Sequence, residues 1–123
     1  MAMDPNRWTL KTQEAVTQAV EAARAQSNPE VTPDHLLAAL LGQAEGVVLP
    51  ILQKVGRPPA ELRNRVQEAL AALPHSYGSE AQFGAAFRAV LDAAYREREQ
   101  LTDEYLSTEH LLLALADPVG ATR

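Results

Sequence analysis

The sequence predicts an all-α domain in which one hairpin of helices is used twice, the second copy shortened. Three observations carry that prediction. His35 and His110 are 75 positions apart, and at this offset Thr32-Pro33-Asp34-His35-Leu36-Leu37 falls on Ser107-Thr108-Glu109-His110-Leu111-Leu112. Trp8 likewise falls on Phe83, Ala15 on Val90, Val16 on Leu91 and Ala19 on Ala94. Apolar residues recur at helical spacing along the segments that carry the repeat. Finally, 46% hydrophobic content with only 5% aromatic residues is the composition of a bundle built on Ala and Leu. A helix–loop–helix unit cannot bury its apolar face alone, so two copies pack against each other as a pseudo-twofold domain, not a solenoid.

The elements follow in order. Residues 1–8 carry no pattern and read as a disordered or expression-derived N-terminus. A first repeat then occupies 9–73, a connector 74–82, and a second, incomplete repeat 83–123. The first helix runs from about Trp8 or Thr9 to Gln26, with Val16, Ala19, Val20 and Ala23 on one face, and Ser27-Asn28-Pro29 breaks it. The second spans Thr32 to Leu41. Its hydroxyl residue accepts from a free backbone N–H, Pro33 suits the first helical position, and Asp34 meets the partial positive charge of the first turn. A third helix covers about Val48 to Val55, with Val48, Ile51, Leu52 and Val55 on one face. Pro50 belongs in its first turn, and Gly56 stops it. Pro58-Pro59 opens a fourth, striped with Leu62, Val66, Ala69, Leu70 and Leu73. The fifth, about Ala81 to Gln100, turns Phe83, Phe87, Val90, Leu91 and Ala94 inwards. The sixth runs from Ser107 to Ala116 and ends at Asp117-Pro118. Repeat logic calls for two more helices matching the third and fourth. The chain therefore reads either as a fragment of something longer or as a copy that tolerates their loss.

Bulk properties exclude several functions. A length of 123 residues suits one domain with a real core. The absence of cysteine removes disulfides and thiolate metal sites and fits a reducing compartment. Net charge is −5, and the cations are scattered without a stripe to track phosphates, which argues against nucleic acid. No apolar run approaches the ~20 residues of a membrane span, and no signal peptide is visible, so the expected location is the cytoplasm.

Candidate chemistry is sparse. No phosphate-binding loop or dinucleotide fingerprint is present. His35, His75 and His110 raise a metal site, but each repeated histidine sits in the first turn of a capped helix, where local packing or hydrogen bonding accounts for it. Ser107, Glu109 and His110 are neighbours in one turn and, pointing in different directions, do not line up as nucleophile, base and orienter. Asp34 and Glu109 serve as helix-start charges. Asp103-Glu104-Tyr105, two acids beside an aromatic on the loop entering the sixth helix, have no evident capping duty and mark either a solvated loop or a contact surface. Trp8 is a packing anchor.

The repeat resembles the Clp N-terminal domain family, the double helical repeats that precede the ATPase modules of Clp/AAA+ unfoldases. The resemblance rests on Leu10-Lys11-Thr12-Gln13-Glu14-Ala15, on Thr32 to Leu37 with Ala39-Leu40-Leu41, on LAALP at 70–74 and on DEYLSTEHLL at 103–112. It covers about Arg7 to Leu115. The K-T-Q-E-A opening and the Leu-Pro connector are more similar to the ClpB disaggregase branch than to ClpC or ClpA. The resemblance implies a double Clp-N helical repeat, here with its second repeat truncated, tethered to a hexameric ATPase ring. It implies a non-catalytic domain without cofactor, ATP and magnesium belonging to ATPase domains outside this chain. As partners it implies unfolded or aggregated polypeptides, whose exposed apolar segments are handed to the ring, or adaptor proteins as in ClpA and ClpC. Carried over residue by residue, the substrate-facing surface falls on Thr9, Asp103 and Glu109, beside an apolar groove near Ala93, Tyr105 and Leu113. Glu97 and His110 are polar near that groove. A stand-alone helical protein that oligomerises through the face left open by the missing helices is a third reading.

Overall fold

A computed structural model of the chain describes residues 5–78 and 80–116. Each copy starts with a long helix whose N-terminus is fixed by its flanking segment. In the first copy this is α1 (Leu10–Ala25), where the Thr9 hydroxyl accepts the Thr12 N–H at 3.2 Å. The second helix, α2 (Pro33–Leu41), begins at Thr32 with Pro33 in the position that lacks a hydrogen-bonding duty. The shorter α3 (Val48–Lys54) does hold Pro50 in its first turn, and α4 (Pro59–Ala71) follows the double proline. The second copy supplies α5 (Ala85–Gln100) and α6 (Thr108–Ala116). The expected helix end at Asp117-Pro118, and the rest of 117–123, lie outside the described residues.

The start of α5 differs from expectation. Gln82 and Phe83 are not helical but form a short strand, β2 (Gln82–Phe83), parallel to β1 (Glu30–Val31), and Gly84 is the residue before the helix. The reason lies in the other copy. Val31 faces Phe83, and the Gly84 N–H donates to the Val31 carbonyl at 3.2 Å. The symmetry-related segment does the same: Trp8 bridges Leu106, and the Thr9 N–H donates to the Leu106 carbonyl at 3.0 Å. Each copy's first-helix start is thus hydrogen-bonded to the second-helix start of the other. Residues 5–8 are accordingly part of the fold, with Pro5–Arg7 in a 3-10 turn and Trp8 buried. The Trp8 indole N–H reaches the Tyr95 hydroxyl at 2.7 Å, so it anchors the terminus to α5.

The pseudo-twofold extends to backbone angles. Ser27 and Thr102, one after each long helix, are the described non-glycine residues with positive φ, at 56° and 54°. The N–H that follows reaches back into each helix: Asn28 to the Ala23 carbonyl at 2.9 Å, Asp103 to the Arg98 carbonyl at 3.1 Å. This is the left-handed termination that satisfies orphan carbonyls at a helix end.

The core sits between the copies. Ala15, Ala19 and Ala23 of α1 and Phe87, Val90, Leu91 and Ala94 of α5 are completely buried, together with Leu36, Leu40, Leu106 and Leu111. Helix α1 packs chiefly on α2 and α5 on α6. Helix α4 is more peripheral, since it packs chiefly on α2. Of its expected stripe only Val66 is buried, while Leu62, Ala69, Leu70 and Leu73 remain partly exposed.

Candidate functional site

Both repeated histidines serve as clasps. His35 is buried at the start of α2; its Nδ1 accepts the Thr32 backbone N–H at 2.9 Å and its Nε2 meets Asn28 Oδ1 at 3.0 Å. His110 is buried at the start of α6; its Nδ1 accepts the Ser107 N–H at 2.9 Å and its Nε2 meets Asp103 Oδ2 at 2.8 Å. Asn28 and Asp103 occupy the same place in the two copies. The hydrogen-bond network assigns the ring proton to Nε2 in each, because Nδ1 faces a backbone donor. Burial lowers the pKa of His35, and burial raises that of Asp34 beside it.

This corrects two expectations. Ser107 and His110 do meet, with Oγ 3.1 Å from Nδ1, since residues three apart share a helix face. The acid that completes the row is Asp103, not Glu109. The Ser–His–Asp row nevertheless lacks the order of a nucleophilic triad. The ring nitrogen facing the hydroxyl already accepts the backbone N–H of the same serine, and a Thr–His–Asn row of the same shape stands in the first copy. Asp103 also has a duty that its sequence context did not show: it holds His110. His110 itself is enclosed and does not border an open groove.

The remaining predicted residues separate into three groups. Thr9 is a helix cap whose hydroxyl also lies 2.9 Å from that of Thr12, and Thr12 in turn donates to the Leu106 carbonyl at 3.0 Å. Ala93 is a buried core position on α5, 7% exposed. Glu109 and Leu113 are both exposed and stand one helical turn apart, so with Ala116 they form the outer stripe of α6. Tyr105, 48% exposed, stands on the loop that leads into this stripe.

At its C-terminal end the stripe opens into an apolar groove of about 390 Å3. Helix α6 forms one wall with Leu112, Leu113 and Leu115; opposite stand Leu37 of α2, Ile51 of α3, Val55 and the cationic Arg57 just after it, and Leu62 of α4. Leu113 is the predicted site residue that lines it. Sequence patterning had marked Ile51 and Val55 as one face of a helix, but not that α6 would stand opposite. Val55 and Leu113 are 66% and 47% exposed, so the groove presents apolar side chains to solvent. In the first copy α4 packs on α2, and its Arg63 donates to the Leu41 carbonyl at 3.0 Å.

The family model described as the Clp repeat (R) N-terminal domain matches residues 7–123. The chain belongs to this family. The Clp repeat domain described here is 41% identical over 116 residues to chaperone protein ClpB of Mycobacterium tuberculosis H37Rv, covering 93% of this chain and 14% of that protein. ClpB of Corynebacterium diphtheriae is 40% identical over 111 residues, with 88% of this chain and 13% of that one covered. Among solved structures, the Hsp104 N-terminal domain from Candida albicans superposes with a TM-score of 0.80 at 24% identity, over 88% of this chain and 72% of that one. The N-terminal domain of the ClpV1 ATPase from E. coli gives 0.82 at 24%, over 89% and 68%. The Clp repeat domain here is the N-terminal domain of a ClpB-like chaperone, and it spans about a seventh of the curated relatives' length. In these chaperones the domain is non-catalytic. Among the described residues no helix is long and apolar enough to cross a membrane.

Proposed function

We propose that this domain recognises exposed apolar segments of unfolded or aggregated polypeptides and passes them to an ATPase ring carried elsewhere in a ClpB-type disaggregase. The observation that carries the reading is the open apolar groove continuous with the outer stripe of α6. Acids border the stripe at one end, Asp103, Glu104 and Glu109, and Leu113 and Val55 stand open at the other. Helix α6 has nine residues, so the track is about 14 Å long at 1.5 Å per residue. It accommodates roughly four residues of extended chain at ~3.3 Å each. Removing ~200 Å2 of apolar surface at about 25 cal/mol per Å2 gives roughly 5 kcal/mol before ordering costs. Affinity from this patch alone is then no tighter than about 0.2 mM, which suits a domain that must release its client.

Adaptor docking is the second reading, favoured by one finding: a ClpV N-domain has been solved in complex with a VipB peptide, a fold match at 19% identity. Titration of one labelled protein, in its native and its unfolded form, separates the two. Binding of the unfolded form alone, tolerant of salt, supports client recognition. Binding of the native form, weakened strongly by salt, supports docking by charge instead.

A further inference from the structure

Resting on the client-binding reading, the comparison of the two histidine clasps assigns Asp103 a role distinct from touching the client. We propose that Asp103 is a positioning residue that acts through His110 to hold the segment presenting Tyr105, and that it needs an oxygen acceptor there, not a negative charge.

The segment between α5 and α6 is pinned at two places. Leu106 is fixed by its main chain, donating to the Arg7 carbonyl at 2.7 Å and accepting from the N–H of Thr9 and the hydroxyl of Thr12. Asp103 is fixed through its N–H on Arg98 and its carboxylate on His110. Only Glu104 and Tyr105 lie between. The Glu104 carbonyl accepts from Arg98 at 2.9 Å and its carboxylate lies 3.9 Å from the Arg7 guanidinium, and beside it the Tyr105 ring is the apolar group that projects. Loss of the Asp103–His110 bond leaves the Asp103 N–H and the Arg98–Glu104 bond in place but frees the ring of His110, whose Nδ1 holds the Ser107 N–H on the far side of Tyr105. The Tyr105 end of the track then loses its fixed position, and the fully buried Nε2 donor of His110 loses its acceptor.

The first copy shows what chemistry the pin requires. Asn28 has the same place, the same backbone bond into the preceding helix and the same contact to a buried histidine, with a neutral amide oxygen as acceptor. An amide therefore performs the clasp in this fold. The side chain of Asp103 is about half exposed (52%), so direct ionic contact with a basic client residue is the rival account. The two accounts differ on a single substitution.

The test compares Asp103→Asn and Asp103→Ala in the whole domain. Affinity for a labelled unfolded polypeptide and amide hydrogen exchange at Glu104 to Ser107 are both measured. Positioning predicts that Asp103→Asn binds within about twofold of wild type with unchanged exchange. It predicts that Asp103→Ala binds at least fivefold more weakly and exchanges at least tenfold faster at Ser107, whose N–H His110 accepts, while Leu106 stays protected. Equal loss of binding in both variants, with the fold intact, overturns the proposal in favour of a charged contact. Unchanged exchange in Asp103→Ala overturns it as well. If Asp103→Ala does not fold, Asp103→Asn decides alone, rescue supporting the proposal and loss overturning it. Absence of client binding by wild type refutes the proposed function instead, and the exchange measurements then still decide the positioning role.

Discussion

Leu113 offers a way to separate the client surface from the structural core. Its side chain lies on the outer stripe of α6 and lines the groove, and it is 47% exposed, whereas Leu111 two residues earlier is fully buried. Fully burying a leucine is worth about 1.5–3 kcal/mol, so the half-buried Leu113 contributes roughly 1 kcal/mol to folding. Leu111→Ala removes that transfer term and leaves a cavity, at about 2–5 kcal/mol. Leu113→Ala should therefore leave the domain nearly as stable as wild type. In a complex the same residue loses its remaining exposure, and truncating it should cost about 1–1.5 kcal/mol of binding, a five- to tenfold weaker affinity. The assay pairs fluorescence anisotropy of a labelled unfolded polypeptide with a urea melt of each variant. Affinity unchanged in Leu113→Ala, with the fold intact, would refute the placement of the client on this stripe.

Two further outcomes concern the pH dependence of folding and the turn after α3. Burial lowers the pKa of His35 in the folded state, so between its folded and unfolded values the unfolded chain binds more protons; stability is complete above about pH 6.5 and falls as pH drops below it. Asp34 has the opposite shift and works in a more acidic window, where folding favours its protonated form. Urea midpoints between pH 7.5 and 5.5 should decline for wild type and flatten in His35→Gln; an equal slope in both would show that another group titrates. Gly56 ends α3 at φ 80°, with nothing near enough to clash with an added methyl, so Gly56→Ala tests backbone conformation alone. It should cost about 1 kcal/mol in a thermal or urea melt, and a neutral result would mean that the turn relaxes.

How much of the candidate site was legible in the sequence varies by residue. Glu109 and Leu113 could be placed on one helix, because a period of 3.6 fixes which residues share a face. Ala93 could not be assigned a side: α5 is apolar over much of its circumference, and only its packing decides that this methyl is enclosed. Thr9 and Asp103 look like surface polar groups in sequence, yet one caps α1 and the other holds His110. The far wall of the groove was legible only as an apolar face of a short helix. Whether that face is buried or open depends on what stands opposite it.

The sequence by itself determined the six helices, the start of α2 and the duplication, since these depend on contacts among residues a few positions apart and on direct similarity at a fixed offset. It also determined the family. Tertiary structure alone decided that the two copies exchange strands, with Val31 beside Phe83 and Trp8 beside Leu106. It decided too that α3 and α6 stand opposite each other across the groove. Hydrogen bonds between extended segments leave no periodic signature at two residues' length, and solvent exposure belongs to the assembled surface and to no single helix.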